Sequence, residues 1–251
     1  IILGGGAGVR FGNEIPKQFI KLAGKPVLVH TVEAFLANAQ IGTVVVVCPP
    51  DWFDKTKEIL GERHDLGRRV VIAKGGASRQ VSSYNGLLAC PPGTEYVLIH
   101  DAVRPLIDQA TIDRAIQGVK EHKAVDTCIP SDDTIIVRQG DRIDHIPDRS
   151  TLLRGQTPQA FDYRLILEAH EWARSMQYTH YTDDCGIVLD LGHKIHVVSG
   201  DLRNVKITHI NDIYVAERLF QAGVPAGSTK SSTAWYAGTR VLVGGGTGGL
   251  G

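Results

Sequence analysis

Residues 96–105 read Tyr96-Val97-Leu98-Ile99-His100-Asp101-Ala102-Val103-Arg104-Pro105. The first four are apolar or β-favouring with no polar alternation, which describes a strand buried on both faces, as in a parallel sheet. Upstream lie Thr43–Cys48 (TVVVVC) and Arg69–Ala73 (RVVIA), and downstream Ala124–Ile129 (AVDTCI) and Lys194–Val198 (KIHVV). Amphipathic stretches separate them, among them Val27–Ala37, Phe53–Leu60, Val81–Leu88 and Gln109–Glu121. Apolar strands alternating with helices predict a doubly wound α/β fold with a mostly parallel, Rossmann-like sheet. Ligands of such sheets bind beyond the carboxyl ends of the strands, which is where Asp101 falls.

Around this frame, the 251 residues suffice for one large domain, and 43% hydrophobic content predicts a folded core. Lys plus Arg and Asp plus Glu each number 27, so no basic surface for nucleic acid or membrane is expected. No apolar run is long enough to span a bilayer. Ile1-Ile2-Leu3 meets glycine at once, unlike a signal peptide. With no initiator Met, the first strand is expected to lack a few residues. Cys48, Cys90, Cys128 and Cys185 are scattered without a CxxC pair, predicting small buried hydrophobes in a reducing cytoplasm rather than zinc ligands or disulfides.

Three loops after strands carry candidate chemistry. Leu3-Gly4-Gly5-Gly6-Ala7-Gly8-Val9-Arg10, with Pro16-Lys17-Gln18-Phe19 behind it, offers backbone N–H groups and two cations to a polyphosphate. Its spacing matches neither the P-loop nor the dinucleotide glycine pattern, and a plain glycine turn with solvated cations is the alternative. Gly75-Gly76-Ala77-Ser78-Arg79-Gln80-Val81-Ser82 opens a helix and could meet a base edge or an anion, while Ser78 can also be a simple N-cap. Asp101 can hold Mg²⁺ or cap a helix, and its strand-end position favours the metal. Arg149 and Lys206 are candidate anchors for a second phosphate, with Thr157 and Thr182 as hydroxyl partners. Asp183-Asp184 reads as a solvated helix start in preference to a metal pair.

Two segments stand outside the alternation. Asp133–Ile146, turning at Gln139-Gly140-Asp141, predicts a β-hairpin arm. Residues 222–238 are rich in Gly, Ser, Thr and Ala and read as a linker following a main domain of residues 1–221. Residues 239–251 then supply a strand and a glycine cluster.

The ordered set LGGGAGVR, PKQF, GGASRQ, HDAVRP, QTPQAF and NVKIT resembles the cytidylyltransferases of the methylerythritol-phosphate and ribitol-phosphate type, from Ile1 to about Gln221. The resemblance implies that Gly5, Gly6, Ala7 and Gly8, with Arg10 and Lys17, bind the triphosphate of CTP. It further implies that Gly76, Ala77 and Ser82 line the cytosine pocket, with Asp101 beside the nucleotide and metal. Arg104, Arg149, Thr157, Thr182 and Lys206 are then acceptor residues, with Arg10, Lys17, Arg149 and Lys206 catalytic. It implies Mg²⁺ as cofactor and a homodimer joined through the 133–146 arm. Arg203 stands where the methylerythritol group carries an acid before Asn-Val-Lys, so the second metal-associated carboxylate becomes Asp201. Gly4 replaces a more usual Ala. Local segments around residues 124–127, 133–135, 155–159 and 200–202 resemble ribitol 5-phosphate enzymes more closely. The terminal glycine cluster resembles the opening of a short-chain reductase, as in fused ribitol-phosphate enzymes. The expected reaction transfers CMP from CTP to D-ribitol 5-phosphate. The alternatives are the same chemistry on 2-C-methyl-D-erythritol 4-phosphate and a non-catalytic nucleotide-binding module.

Overall fold

The computed structural model describes residues 1–5, 15–61, 69–179 and 181–223. Strand β1 (Ile2–Leu3) is followed by a short hairpin, β2 (Lys21–Leu22) and β3 (Lys25–Pro26), which leads into helix α1 (Val27–Leu36). Strand and helix then alternate as predicted: β4 (Val44–Cys48), α2 (Phe53–Gly61), β5 (Val70–Lys74), α3 (Arg79–Leu88), β6 (Tyr96–Asp101), α4 (Gln109–His122) and β7 (Ala124–Pro130). A hairpin of β8 (Val137–Gln139) and β9 (Arg142–His145) comes next, then β10 (Leu153–Gly155) and β11 (Gln159–Asp162). Helices α5 (Tyr163–Ser175) and α6 (Asp184–Asp190), strand β12 (His196–Ser199) and α7 (Ile210–Gly223) complete the described chain.

In space the sheet runs β12, β7, β10 with β11, β6, β1, β4, β5. All neighbours are parallel except β10 and β11. The sequence signals neither strand: β10 is only three residues long, and β11 lies largely within QTPQAF, a stretch that reads as chemistry. They lie on the same edge of β7, Gly155 opposite Cys128 and Ala160 opposite Val125. Residues 156–158 bulge between them, with a cis peptide joining Thr157 and Pro158. Bulges re-aim side chains, and this one turns Thr157 toward β6.

Alternate strand residues face opposite layers. Val44 and Val46 pack with Val32 of α1 and Ile112 and Val119 of α4. Val45 and Val47 pack with Leu87 of α3, Ile166 and Ala169 of α5 and Ile187 of α6. The expected two-sided burial is therefore observed. A smaller cluster of Leu22, Val27, Val103, Ile207 and Ala216 seats α7 beside the β2–β3 hairpin. Cys48, Cys128 and Cys185 are buried and Cys90 half-buried, all as free thiols. The last strand begins two residues later than expected, after Gly192 turns the chain at φ 93°.

The hairpin predicted over Asp133–Ile146 is present, but its ladder is shorter than that span and forms its own two-stranded sheet. Gly140 takes φ 61° in the turn, a conformation glycine adopts without strain. Helix α7 runs to Gly223, two residues past the expected domain end. The remainder of the linker and the reductase-like tail, residues 224–251, lie outside the described residues. Among those residues, no helix is long and apolar enough to cross a membrane.

Candidate active site

The chain moves outward from β1 first to β4 and β5, then returns to lay β6 on the other side of β1. That reversal opens a crevice at the carboxyl ends of β1 and β6. Gly4 accepts a bond from the Gln18 side chain at 2.5 Å and donates to Val47 O at 2.8 Å. A Cβ on Gly5 would stand 2.7 Å from Ser82 Oγ, and one on Gly76 would collide with Val81. Gly5 is thus required where the loop after β1 approaches α3, and Gly76 where its own loop turns into α3. Ser82 Oγ accepts from Gly76 N at 3.1 Å and donates to Ser78 O at 2.8 Å, tying the loop after β5 to the start of α3. Ser78 is also the N-cap, accepting from Val81 N. Gly6, Ala7, Gly8 and Arg10 lie outside the described residues, whereas Lys17 opens a 3-10 turn with a half-buried side chain.

Asp101 ends β6 and is the hub of the site. Its Oδ2 meets Lys206 Nζ at 2.9 Å and Arg104 Nε at 3.2 Å. Burial alone would raise its carboxyl, but Lys206, Arg79 and Arg104 hold it down at about 2. Arg104, expected among the acceptor residues, is buried, and its Nη1 donates to Asn204 O at 2.8 Å. It ties the Asn204-Val205-Lys206 segment to the end of β6. Ile207 N bonds Val103 O at 2.9 Å beside it, which positions Lys206.

Thr157 reaches the hub through the bulge. His100 Nε2 faces the carbonyl of Arg104 at 3.2 Å, so its proton sits there and Nδ1 accepts from Thr157 Oγ1 at 2.9 Å. The same oxygen accepts from Asp101 N at 3.1 Å. Burial lowers His100 to about 4, keeping the ring neutral in this role. The Thr157 hydroxyl, expected to meet the acceptor, is turned inward: its hydrogen goes to His100 Nδ1 and its oxygen holds the Asp101 backbone N–H. Asn204 Nδ2 holds the Thr157 carbonyl at 2.8 Å, and Gln156 Nε2 holds that of Asp201 at 2.9 Å.

Asp183-Asp184 departs from the solvated helix start expected of it. Asp183 does cap α6, accepting from Gly186 N. Asp184, however, is fully buried, paired with Arg79 Nη1 at 2.6 Å and bonded by Ser83 and His170. Burial opposes its ionisation, but Arg79 outweighs that and holds the carboxyl well below the usual range. Arg79 therefore links α6 to the electrostatics of Asp101, a role the sequence reading missed. An arginine directly after an N-cap, with acids a hundred residues on, gives no local sign of the pair. Thr182 is exposed just before that cap. Arg149 is exposed at the base of the hairpin, donating to Asp132 O at 3.0 Å, and is not among the groups gathered at Asp101. Asp201, expected as a metal ligand, accepts from Arg203 N at 2.6 Å in a turn and joins the hub through Gln156.

Among the described residues, no three His, Cys, Asp or Glu side chains gather as a metal cage. Mg²⁺ at a phosphate-transfer site needs less: one or two carboxylates, with phosphate oxygens and water completing the shell. Asp101 fits that demand, being ionised, placed at the sheet edge, and met by its neighbouring cations at Oδ2. Close-approach glycines, a lysine and an ionised aspartate in one crevice suit phosphoryl chemistry, where charge neutralisation dominates.

The family model of 2-C-methyl-D-erythritol 4-phosphate cytidylyltransferase matches residues 1–222. The chain is 38% identical over 226 residues to a ribitol-5-phosphate cytidylyltransferase of Lactiplantibacillus plantarum, covering 88% of this chain and 97% of that protein. It is 37% identical over 219 residues to a 2-C-methyl-D-erythritol 4-phosphate cytidylyltransferase of Clostridioides difficile, covering 87% and 92%. The solved 4-diphosphocytidyl-2C-methyl-D-erythritol synthase of Anaerococcus prevotii superposes with a TM-score of 0.77 at 30% identity, over 88% of this chain and 94% of that one. The chain thus belongs to the IspD family of cytidylyltransferases, CTP-dependent nucleotidyltransferases.

Proposed function

We propose that the protein transfers CMP from CTP to D-ribitol 5-phosphate, forming CDP-ribitol and releasing pyrophosphate. The Asp101–Lys206–Arg104 cluster beside the close-packed glycine loops carries the chemical part of this reading. A phosphate oxygen of the acceptor attacks the α-phosphorus in line; the new O–P bond forms as the bond to the β-phosphate oxygen breaks. A phosphate monoester carries negative charge near neutral pH, so the attacking oxygen needs no general base. Lys206, held by Asp101, meets the acceptor phosphate, and Lys17 with Arg10 meets the triphosphate. Asp101 would hold Mg²⁺, which would supply further charge neutralisation when bound. The ribitol acceptor is supported by the local segments at 124–127 and 200–202 and by the 38% identical relative of that name.

The second reading, 2-C-methyl-D-erythritol 4-phosphate as acceptor, is favoured by the family model and the 37% identical relative. Pyrophosphate release from CTP and Mg²⁺ separates the two. Release with D-ribitol 5-phosphate alone supports the proposal, and release with the methylerythritol compound alone replaces the acceptor. Silence with both removes the catalytic reading.

We further propose a homodimer assembled through the hairpin. Ile135, Ile136, Val137, Ile143 and Ile146 are all exposed there, an apolar set that a monomer would leave in water.

A further inference from the structure

The turn after β12 carries the chain from the sheet to Lys206, and a side chain from the opposite edge of β7 holds it. Gly200 N donates to Cys128 O at 2.8 Å on one edge, and Gln156 N donates to Thr127 O at 2.7 Å on the other. The buried Gln156 amide then reaches across to Asp201. Its Nε2 donates to Asp201 O at 2.9 Å, and its Oε1 accepts from Asp201 N and from Asn204 Nδ2, each at 3.3 Å. One side chain thus takes both backbone groups of Asp201, as a neighbouring strand would. A flipped amide would set its oxygen against the Asp201 carbonyl, which fixes the orientation.

Gly200 makes room for this arrangement. Its φ is not positive, so the backbone conformation does not ask for glycine there. Space does: a Cβ would collide with Gln156 Oε1 and stand 3.1 Å from Thr127 Cγ2. The first obstacle is the end of a flexible side chain, so a methyl group would push the amide off Asp201 and leave the strands in place. Downstream, Asn204 O accepts from Arg104 Nη1 and Ile207 N donates to Val103 O, so the held turn leads directly into Lys206.

We propose that Gln156 is a positioning residue for the acceptor, setting the 201–204 turn and with it Lys206, and that Gly200 is its necessary counterpart. The proposal rests on the transfer reaction given above, in which Lys206 meets the acceptor phosphate. The glycine loops after β1 and β5, assigned to CTP, take no part in these contacts. Loss of the clamp should therefore act on one substrate and spare the other.

Steady-state kinetics of the full chain, varying D-ribitol 5-phosphate and CTP in turn, test it in Gln156→Leu, Gly200→Ala and the double variant. Each single change should raise KM for the acceptor about tenfold and leave that for CTP within about twofold. Both open the same clamp, so the double variant should be no worse than Gln156→Leu alone. Amide hydrogen exchange over residues 201–204, read without substrate, should quicken in all three. Calorimetric binding of CTP identifies folded variants, and Gly200→Ala, which removes no polar group, serves where Gln156→Leu does not fold. An unchanged acceptor KM, equal rises for both substrates, or costs that add in the double variant would overturn the proposal. A wild-type enzyme silent with D-ribitol 5-phosphate but active with the methylerythritol compound would overturn the acceptor reading instead. The same KM shift, read on that compound, would then support the clamp.

Discussion

Asp101 illustrates how one side chain is set by its neighbours. Its carboxyl is lowered to about 2 from an ordinary 3.8, so the stability it lends is fully present above the unfolded value. That stability is lost only as pH falls through about 2. Asp101 should therefore remain charged throughout the working range, and activity should show no acid limb from it above about pH 4. Lys206→Ala removes the largest of the groups lowering it; kcat/KM should fall about 10²–10³-fold with secondary structure retained. Full activity in that variant would remove Lys206 from the mechanism. Asp126 shows the opposite sign. Desolvation, helped by the charge of Asp183, raises it to about 6, so its contribution favours folding below the unfolded value and is lost as pH rises through 6. Asp126→Asn should then raise the melting temperature at pH 8, by an amount equivalent to about 3 kcal/mol at most, and change it little at pH 4. Equal shifts at both pH values would contradict the burial argument.

At the level of elements, the N-terminus of α6 joins ordinary capping to a buried charge. Asp183→Ala should cost about 1 kcal/mol as a lost cap. Asp184→Ala should cost about 3–5 kcal/mol, because Arg79, Ser83 and His170 lose their common partner in the interior. Urea unfolding of both variants checks the ratio; similar losses would show that Arg79 finds another partner. The same helix shows what the sequence conceals. Thr-Asp-Asp looks like any polar helix start, and nothing local says that its second acid meets an arginine a hundred residues earlier. Similarly, QTPQAF was legible as chemistry and not as β11, since its pairing residues lie on strands far away in sequence. By contrast the ValValValVal and ValLeuIle runs announced buried strands unaided, because burial on both faces leaves no room for polar alternation. Of the site, Asp101 and the close-approach glycines were readable from strand-end position. The inward turn of Thr157 depended on a bulge, which no composition reveals.

For the molecule as a whole, the exposed isoleucines of the hairpin bear on assembly. Ile136→Asp with Ile143→Asp should shift the mass from dimer to monomer in light scattering without lowering the melting point of the main sheet, while an unchanged mass would exclude the arm as the contact. The placement of β11 has a consequence in time as well as in space. It comes from residues 159–162 yet separates β6 from β7, which are sequence neighbours. During synthesis, β1, β4, β5 and β6 can associate as they emerge, but the free edge of β6 stays open until some sixty residues later have left the ribosome. A nascent chain stalled near residue 150 would present that apolar edge as a template for other chains, so the second half of the protein serves the first as a late-arriving chaperone.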